Sequence, residues 1–223
     1  MYKRQNCFYF PENDSSIEIH KQFNMDDWEK ANWFNLGDTG NSEVTVYGQH
    51  YNDVLYMAFH IKDDSIIQKD AVTICIDAGL LNSNNTQLRF EFKLGDGSGR
   101  SFFSEYNNEM NKWGDYHSPA PGYIDSWIYK DEVINYWEAG IQIDFSNSSL
   151  SNINTNSFGL YFQVLHYNGG GYSGRHYWPI SVDNEEENPD YIPPHEQWAF
   201  GKFMKNSKIL PLRLEKIKKL FSV

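Results

Sequence analysis

The sequence predicts an all-β protein, a two-sheet antiparallel β-sandwich of jelly-roll type. Three observations predict it. Apolar residues recur at every second position through seven separate segments, the signature of strands with one covered face. Turn-forming clusters such as Gly95-Asp96-Gly97-Ser98-Gly99 and Asn168-Gly169-Gly170-Gly171 separate strand segments,. Helical spacing is confined to two short stretches, Asp26 to Ala31 and Leu212 to Phe221.

The first segment, Glu43 to Gly48, alternates through Val44 and Val46. In the second, Leu55, Met57, Phe59 and Ile61 share a face. The third puts Val72, Ile74 and Ile76 on one side and Thr73, Cys75 and Asp77 on the other. The fourth is the cleanest, with Leu88, Phe90, Phe92 and Leu94 opposed to Arg89, Glu91 and Lys93. Ser126 to Tyr129 follows, then Trp137 to Phe145 with Trp137, Ala139, Ile141, Ile143 and Phe145 inward, then Gly159 to His166. A period-2 apolar face must be covered. Leu55, Met57, Phe59, Val72, Ile74, Phe90, Phe92, Ile141, Ile143 and Phe162 are therefore expected in the core.

The 223 residues carry a formal net charge of −11, which repels phosphate backbones and anionic membranes and argues against a nucleic-acid partner. The charge is uneven: residues 202–223 hold seven of the 19 Lys and Arg with Glu215 as their only acid, which leaves a net of −17 on residues 1–201. No apolar run reaches the roughly 20 residues that span a bilayer. The two cysteines, Cys7 and Cys75, are too few for a disulfide framework. The opening Met1-Tyr2-Lys3-Arg4-Gln5 reads as the translation of a sequencing-library adapter, so an export signal is not expected to be visible. The chain divides into an N-terminal segment (1–16), a sandwich (17–203) and a basic tail (204–223).

The order of the strand phrases resembles the family 9 carbohydrate-binding modules and the wider group of sandwiches like the DOMON domain. The resemblance runs through Ile17-Glu18-Ile19, Asp27-Trp28-Glu29-Lys30-Ala31 and Leu55-Tyr56-Met57-Ala58-Phe59-His60-Ile61-Lys62-Asp63. It continues through Asp70-Ala71-Val72-Thr73-Ile74-Cys75-Ile76-Asp77, Leu88-Arg89-Phe90-Glu91 and Glu138-Ala139-Gly140-Ile141, and ends on Gly159 to Val164 and Trp198-Ala199-Phe200-Gly201. It implies non-catalytic binding of an oligo- or polysaccharide, in a secreted, extracellular or cell-surface setting, alongside a glycoside hydrolase of the same chain or system.

Aromatic rings stack on the C–H faces of a pyranose while planar polar groups bond its hydroxyls. By the strand matches, the polar face that does this is carried by Thr73, Arg89, Glu91 and Gln163; Arg89 and Gln163 keep the family's residue types. The alternative for these four is a solvated sheet face. Arg89→Ala is expected to weaken binding without changing the melting temperature. The family's first stacking Trp has no counterpart in Ile66-Ile67-Gln68-Lys69, and Trp198 is offset from the second. Trp113, in an insertion, and Tyr172, Arg175 and Trp178, in a glycine-led loop at 168–178, are the substitutes, unless these Trp rings only pack loops onto the sandwich.

The resemblance also implies structural calcium. Asp63, Asp64, Asp70 and Asp77 are its candidate ligands, or else strand-end caps. A haem-binding reading needs an axial ligand, for which Met57, His60 and His166 are the candidates. A purely structural accessory role is the third reading. Catalysis finds little support. There is no Gly-x-Ser-x-Gly elbow and no phosphate loop. Glu91 and Glu138 are the candidate carboxylate pair for a shared face.

Overall fold

The computed structural model describes residues 7–18, 23–39, 42–77, 87–94, 100–107, 112–115, 124–131, 135–147, 150, 154–169, 171–179, 188, 191–194 and 197–204. The adapter-like opening, the acidic stretch 183–187 and the basic tail from residue 205 lie outside them.

Thirteen strands are found among the described residues: β1 (Cys7–Pro11), β2 (Asn32–Thr39), β3 (Ser42–Tyr51), β4 (Val54–Asp63), β5 (Ala71–Asp77), β6 (Gln87–Lys93), β7 (Arg100–Asn107), β8 (Lys112–Trp113), β9 (Ile124–Asp131), β10 (Tyr136–Asp144), β11 (Phe158–Asn168), β12 (Gly171–Trp178) and β13 (Ala199–Met204). They form two sheets. The larger runs β1-β13-β11-β5-β6-β7-β8, with β12 also paired to β11; the smaller runs β2-β3-β4-β10-β9. The expected sandwich is therefore what the chain builds. One pairing, β1 with β13, is parallel.

The inner faces of the two sheets meet in one apolar core. All ten residues expected there are buried, none more than 1 % exposed. Period-2 alternation does this directly, since every second residue of β4, β5, β6, β10 and β11 points between the sheets. The stretch at Asp26 to Ala31 gives one 3-10 turn, Met25–Trp28, capped by the Asn24 side chain accepting from the Asp26 N–H,. Trp28 stacks on Phe23 with centroids 5.6 Å apart, and with Ile17, Ala31, Tyr56 and Ala58 it makes a second apolar cluster on the outer side of the smaller sheet.

The sandwich also reaches back before residue 17. Phe8 and Phe10 of β1 are fully buried in the main core. Their rings cross Gly48 of β3, where an added Cβ would lie 2.6 Å from each. Only a glycine admits this close approach of ring to backbone.

Candidate carbohydrate-binding face

Opposite the core, the larger sheet presents a polar outer face. Its residues fall into cross-strand rows fixed by register. One row reads Tyr177, Gln163, Thr73, Glu91 across β12, β11, β5 and β6. The next reads Tyr161, Cys75, Arg89, Ser104 across β11, β5, β6 and β7. A third carries Gly159, Asp77 and Gln87. The strand matches thus bring Thr73, Arg89, Glu91 and Gln163 together on neighbouring strands. Ser104 and Gln87 join them without having been singled out in the sequence.

This is not a solvated sheet face. Thr73, Asp77, Gln87, Arg89, Glu91, Ser104 and Gln163 are each at most 8 % exposed. Covering a polar layer is costly unless its groups are partnered, and much of the layer is. Burial pushes the Tyr161 phenol far up its scale, so it stays protonated and donates to Gln163 Oε1 at 2.8 Å. Arg175 Nη1 donates to the same oxygen at 3.0 Å. The guanidinium also donates to the Tyr172 hydroxyl at 3.0 Å, to the Tyr191 carbonyl at 3.2 Å and to the Asn188 carbonyl. Arg175 therefore ties Asn188 and Tyr191 to β11 and β12. Glu91 pairs with Lys93 at 2.7 Å. Among the described residues, Thr73 Oγ1 and Ser104 Oγ are buried with no hydrogen-bond partner, a costly state for a hydroxyl.

Aromatic side chains border this face. The half-buried Trp113 ring lies 5.5 Å from the Arg89 guanidinium carbon, a cation–π contact,. Tyr177 is half-buried, and with Ile192 and Trp113 it packs on a small cluster of Cys75, Tyr161 and Trp198. Burial raises the Cys75 thiol far above its ordinary value, which keeps it an inert apolar group.

Three expectations need correction. The segment 168–178 is the β11–β12 hairpin rather than a loop, with Gly171 opening β12. Trp178 does not reach the polar face. It points into the core, stacked on Phe162 at 5.3 Å and bordered by Phe8 and Phe34, each with its centroid 5.9 Å away. Trp198 is on the polar side but 1 % exposed, its indole N–H donating to the Pro193 carbonyl at 2.8 Å. It is a wall of the satellite cluster, closed off from solvent. Tyr172 is half-buried, its ring 5.8 Å from the Arg175 guanidinium.

The sandwich aligns with a family 9 carbohydrate-binding module from Caldicellulosiruptor kristjanssonii in complex with glucose, at a TM-score of 0.58 and 14 % identity over 92 % of this chain and 100 % of that one. A structure of such a module from the same organism with cellotriose aligns equally well, at a TM-score of 0.58 and 14 % identity over 92 % of this chain and 98 % of that one. The fold is that of a family 9 carbohydrate-binding module. No protein-family model and no curated protein sequence matches the chain.

Several features expected of such a module are arranged differently here. In the stretch before Asp70, where the family's first stacking Trp falls, Ile66 packs against the core. Half-buried rings beside the polar face include Trp113, Tyr177 and Tyr172. Nor do the four aspartates form a calcium cage: among the described residues no three His, Cys, Asp or Glu side chains are grouped to hold a metal. Asp63 Oδ2 contacts His166 Nδ1 at 2.7 Å, and Asp64 is exposed beyond the end of β4. Burial pushes the Asp70 carboxyl up to about 6, an effect that the two backbone N–H bonds it accepts only partly counter. Asp77 lies in the third polar row. A hard cation wants several ionised oxygens converging, and this set does not supply them.

The candidate haem ligands also diverge. Met57 fills the core. His60, three residues further along β4, sits on the opposite face and contacts Glu138 Oε1 at 3.1 Å. His166 is held by Asp63. Glu91 lies on the outer face of the larger sheet and Glu138 on that of the smaller, so the core separates these two carboxylates.

Among the described residues, no helix is long and apolar enough to cross a membrane.

Proposed function

We propose that the protein is a non-catalytic carbohydrate-binding domain whose ligand lies on the polar outer face of the larger sheet. The observation that carries the reading is the face itself: polar side chains in register on β5, β6, β7 and β11, bordered by half-buried rings. Likeness of fold to modules solved with glucose and cellotriose supports it.

In this reading Trp113 and Tyr177 supply stacking surface. Each stacked ring contributes about 1 kcal/mol beyond its buried area. Thr73 Oγ1 and Ser104 Oγ, which have no hydrogen-bond partner among the described residues, are ready to exchange hydrogen bonds with sugar hydroxyls once the ligand displaces what covers them. Arg89 presents a planar fork that Lys cannot copy. The ligand is a short neutral oligosaccharide, bound weakly, and the domain serves an exported glycan-degrading system beside a glycoside hydrolase.

Burial changes which substitution is informative. Arg89→Ala is no longer expected to leave stability untouched, because Arg89 is 8 % exposed beneath Trp113 and its removal opens a void. Trp113→Ala is the cleaner variant. Isothermal titration calorimetry with glucose and with cellotriose should show millimolar or tighter binding by the parent and at least about five-fold weaker binding by Trp113→Ala. Absence of binding by the parent, or equal affinity of parent and variant, would refute the assignment.

A further inference from the structure

The outer face of the smaller sheet carries a second arrangement of the same chemical kind. Phe34 and Leu36 of β2 pack against the main core, so alternation turns Trp33 and Asn35 outward. Trp33 is 62 % exposed, more than any other exposed large hydrophobic residue described. An indole left in water forgoes the stabilisation that burial gives, and an edge strand needs no Trp to hold its register.

Its surroundings are ordered. Trp33 sits opposite Tyr47 of β3, which is half-buried and rests against Phe23 at 4.9 Å. The adjacent outward row reads Asn35, Thr45, His60 across β2, β3 and β4. Beside it, Glu43 faces Lys62, and Asn35 Nδ2 donates to Glu43 Oε1 at 2.7 Å. An aromatic row therefore runs alongside a polar row, two residues or about 6.6 Å away along the strands. A flat ring face with planar amide and carboxylate groups one sugar ring distant is the combination that pyranoses select. A protein partner fits less well, because Trp33 is flanked in register by the polar and charged residues Asn35, Glu43, Lys62 and His60,.

We propose that this face is a second carbohydrate-contact site, in which Trp33 stacks on a pyranose and Asn35, Glu43 and Thr45 bond its hydroxyls. It stands independently of the site on the larger sheet. The two faces look away from each other across the core, so a chain with both holds two glycan segments at once. Avidity for an insoluble glycan then exceeds either affinity alone.

The experiment is ¹H–¹⁵N NMR with cellotriose titrated to millimolar concentration. Saturable shifts of the Trp33 indole N–H and the Asn35 side-chain amide are expected. Trp33→Ala should retain the parent's melting temperature, as an exposed position allows, and weaken the Asn35 shift by about ten-fold in apparent affinity. Trp33→Phe should restore part of it. No shift at Trp33 and Asn35, or an Asn35 shift unchanged in Trp33→Ala, overturns the proposal. The Trp113 indole reports the other site in the same spectra. Shifts at Trp33 alone would uphold this inference and count against the larger-sheet reading, and shifts at Trp113 alone would do the reverse.

Discussion

Asp70 has a folded state that prefers the protonated carboxyl, and this makes stability depend on pH in a calculable way. Its side chain is fully buried at the entry to β5. Oδ2 accepts from the Ile67 N–H and Oδ1 from the Tyr167 N–H, each at 2.8 Å. Burial raises the pKa from 3.8 to about 6, which the two hydrogen bonds only partly counter; Asp63 raises it further and His166 lowers it. Because the folded value lies above the unfolded one, the native state binds more protons between them, and stability falls as pH rises through that window. Below 3.8 the effect is absent, and above about 6 it is complete. A shift of this size corresponds to a loss on the order of 3 kcal/mol. Asp70→Asn cannot ionise, so it should lack this decline. It also places an amide N–H₂ against a backbone N–H, at a roughly pH-independent cost of about 1–3 kcal/mol. Urea unfolding of both proteins across the window isolates the term, since other carboxylates titrate equally in each. The parent's margin over the variant should shrink steadily with rising pH. A constant margin, or one that grows, would refute the reasoning.

Two further substitutions test the packing. Trp178→Ala should cost about 3–5 kcal/mol, as removal of a large core aromatic does, and the variant that remains folded should bind sugar like the parent; weaker binding at full folding would return Trp178 to the ligand. Gly140 lies under the Trp127 indole, where an added Cβ would come within 2.1 Å of Nε1. Gly140→Ala should displace that ring, red-shift its fluorescence and destabilise by about 1–3 kcal/mol; an unchanged spectrum would contradict the contact.

The strands that alternate cleanly were legible because their inner residues are uniformly apolar and their outer ones mostly polar, as in β6 and β10. β1 was not, since Cys7-Phe8-Tyr9-Phe10 is an aromatic run without polar alternation, and Tyr9 is turned outward only by pairing with β13. The segment that becomes β7 reads Ser101-Phe102-Phe103-Ser104, two adjacent aromatics that hide the period, and Ser104 was missed with it. Trp178 was assigned to the wrong side for a different reason. The facing of β12 follows from its register on β11, which shifts between His166 and Tyr167, and nothing local reveals that irregularity. Thr73, Arg89, Glu91 and Gln163 of the polar face were readable through the family resemblance of their strands. The burial of that face was not, because it depends partly on contacts remote from these strands in sequence, such as Ile192 packing on Cys75 and Tyr161 and Arg175 holding the Asn188 and Tyr191 carbonyls.

Whether a sugar occupies the outer face of the larger sheet is decided most directly by a crystal structure of the protein with cellotriose. Sugar density is expected over the rows of Thr73, Glu91, Arg89 and Ser104, with a pyranose against Trp113. Crystals grown in saturating cellotriose that show no sugar on that face would contradict it.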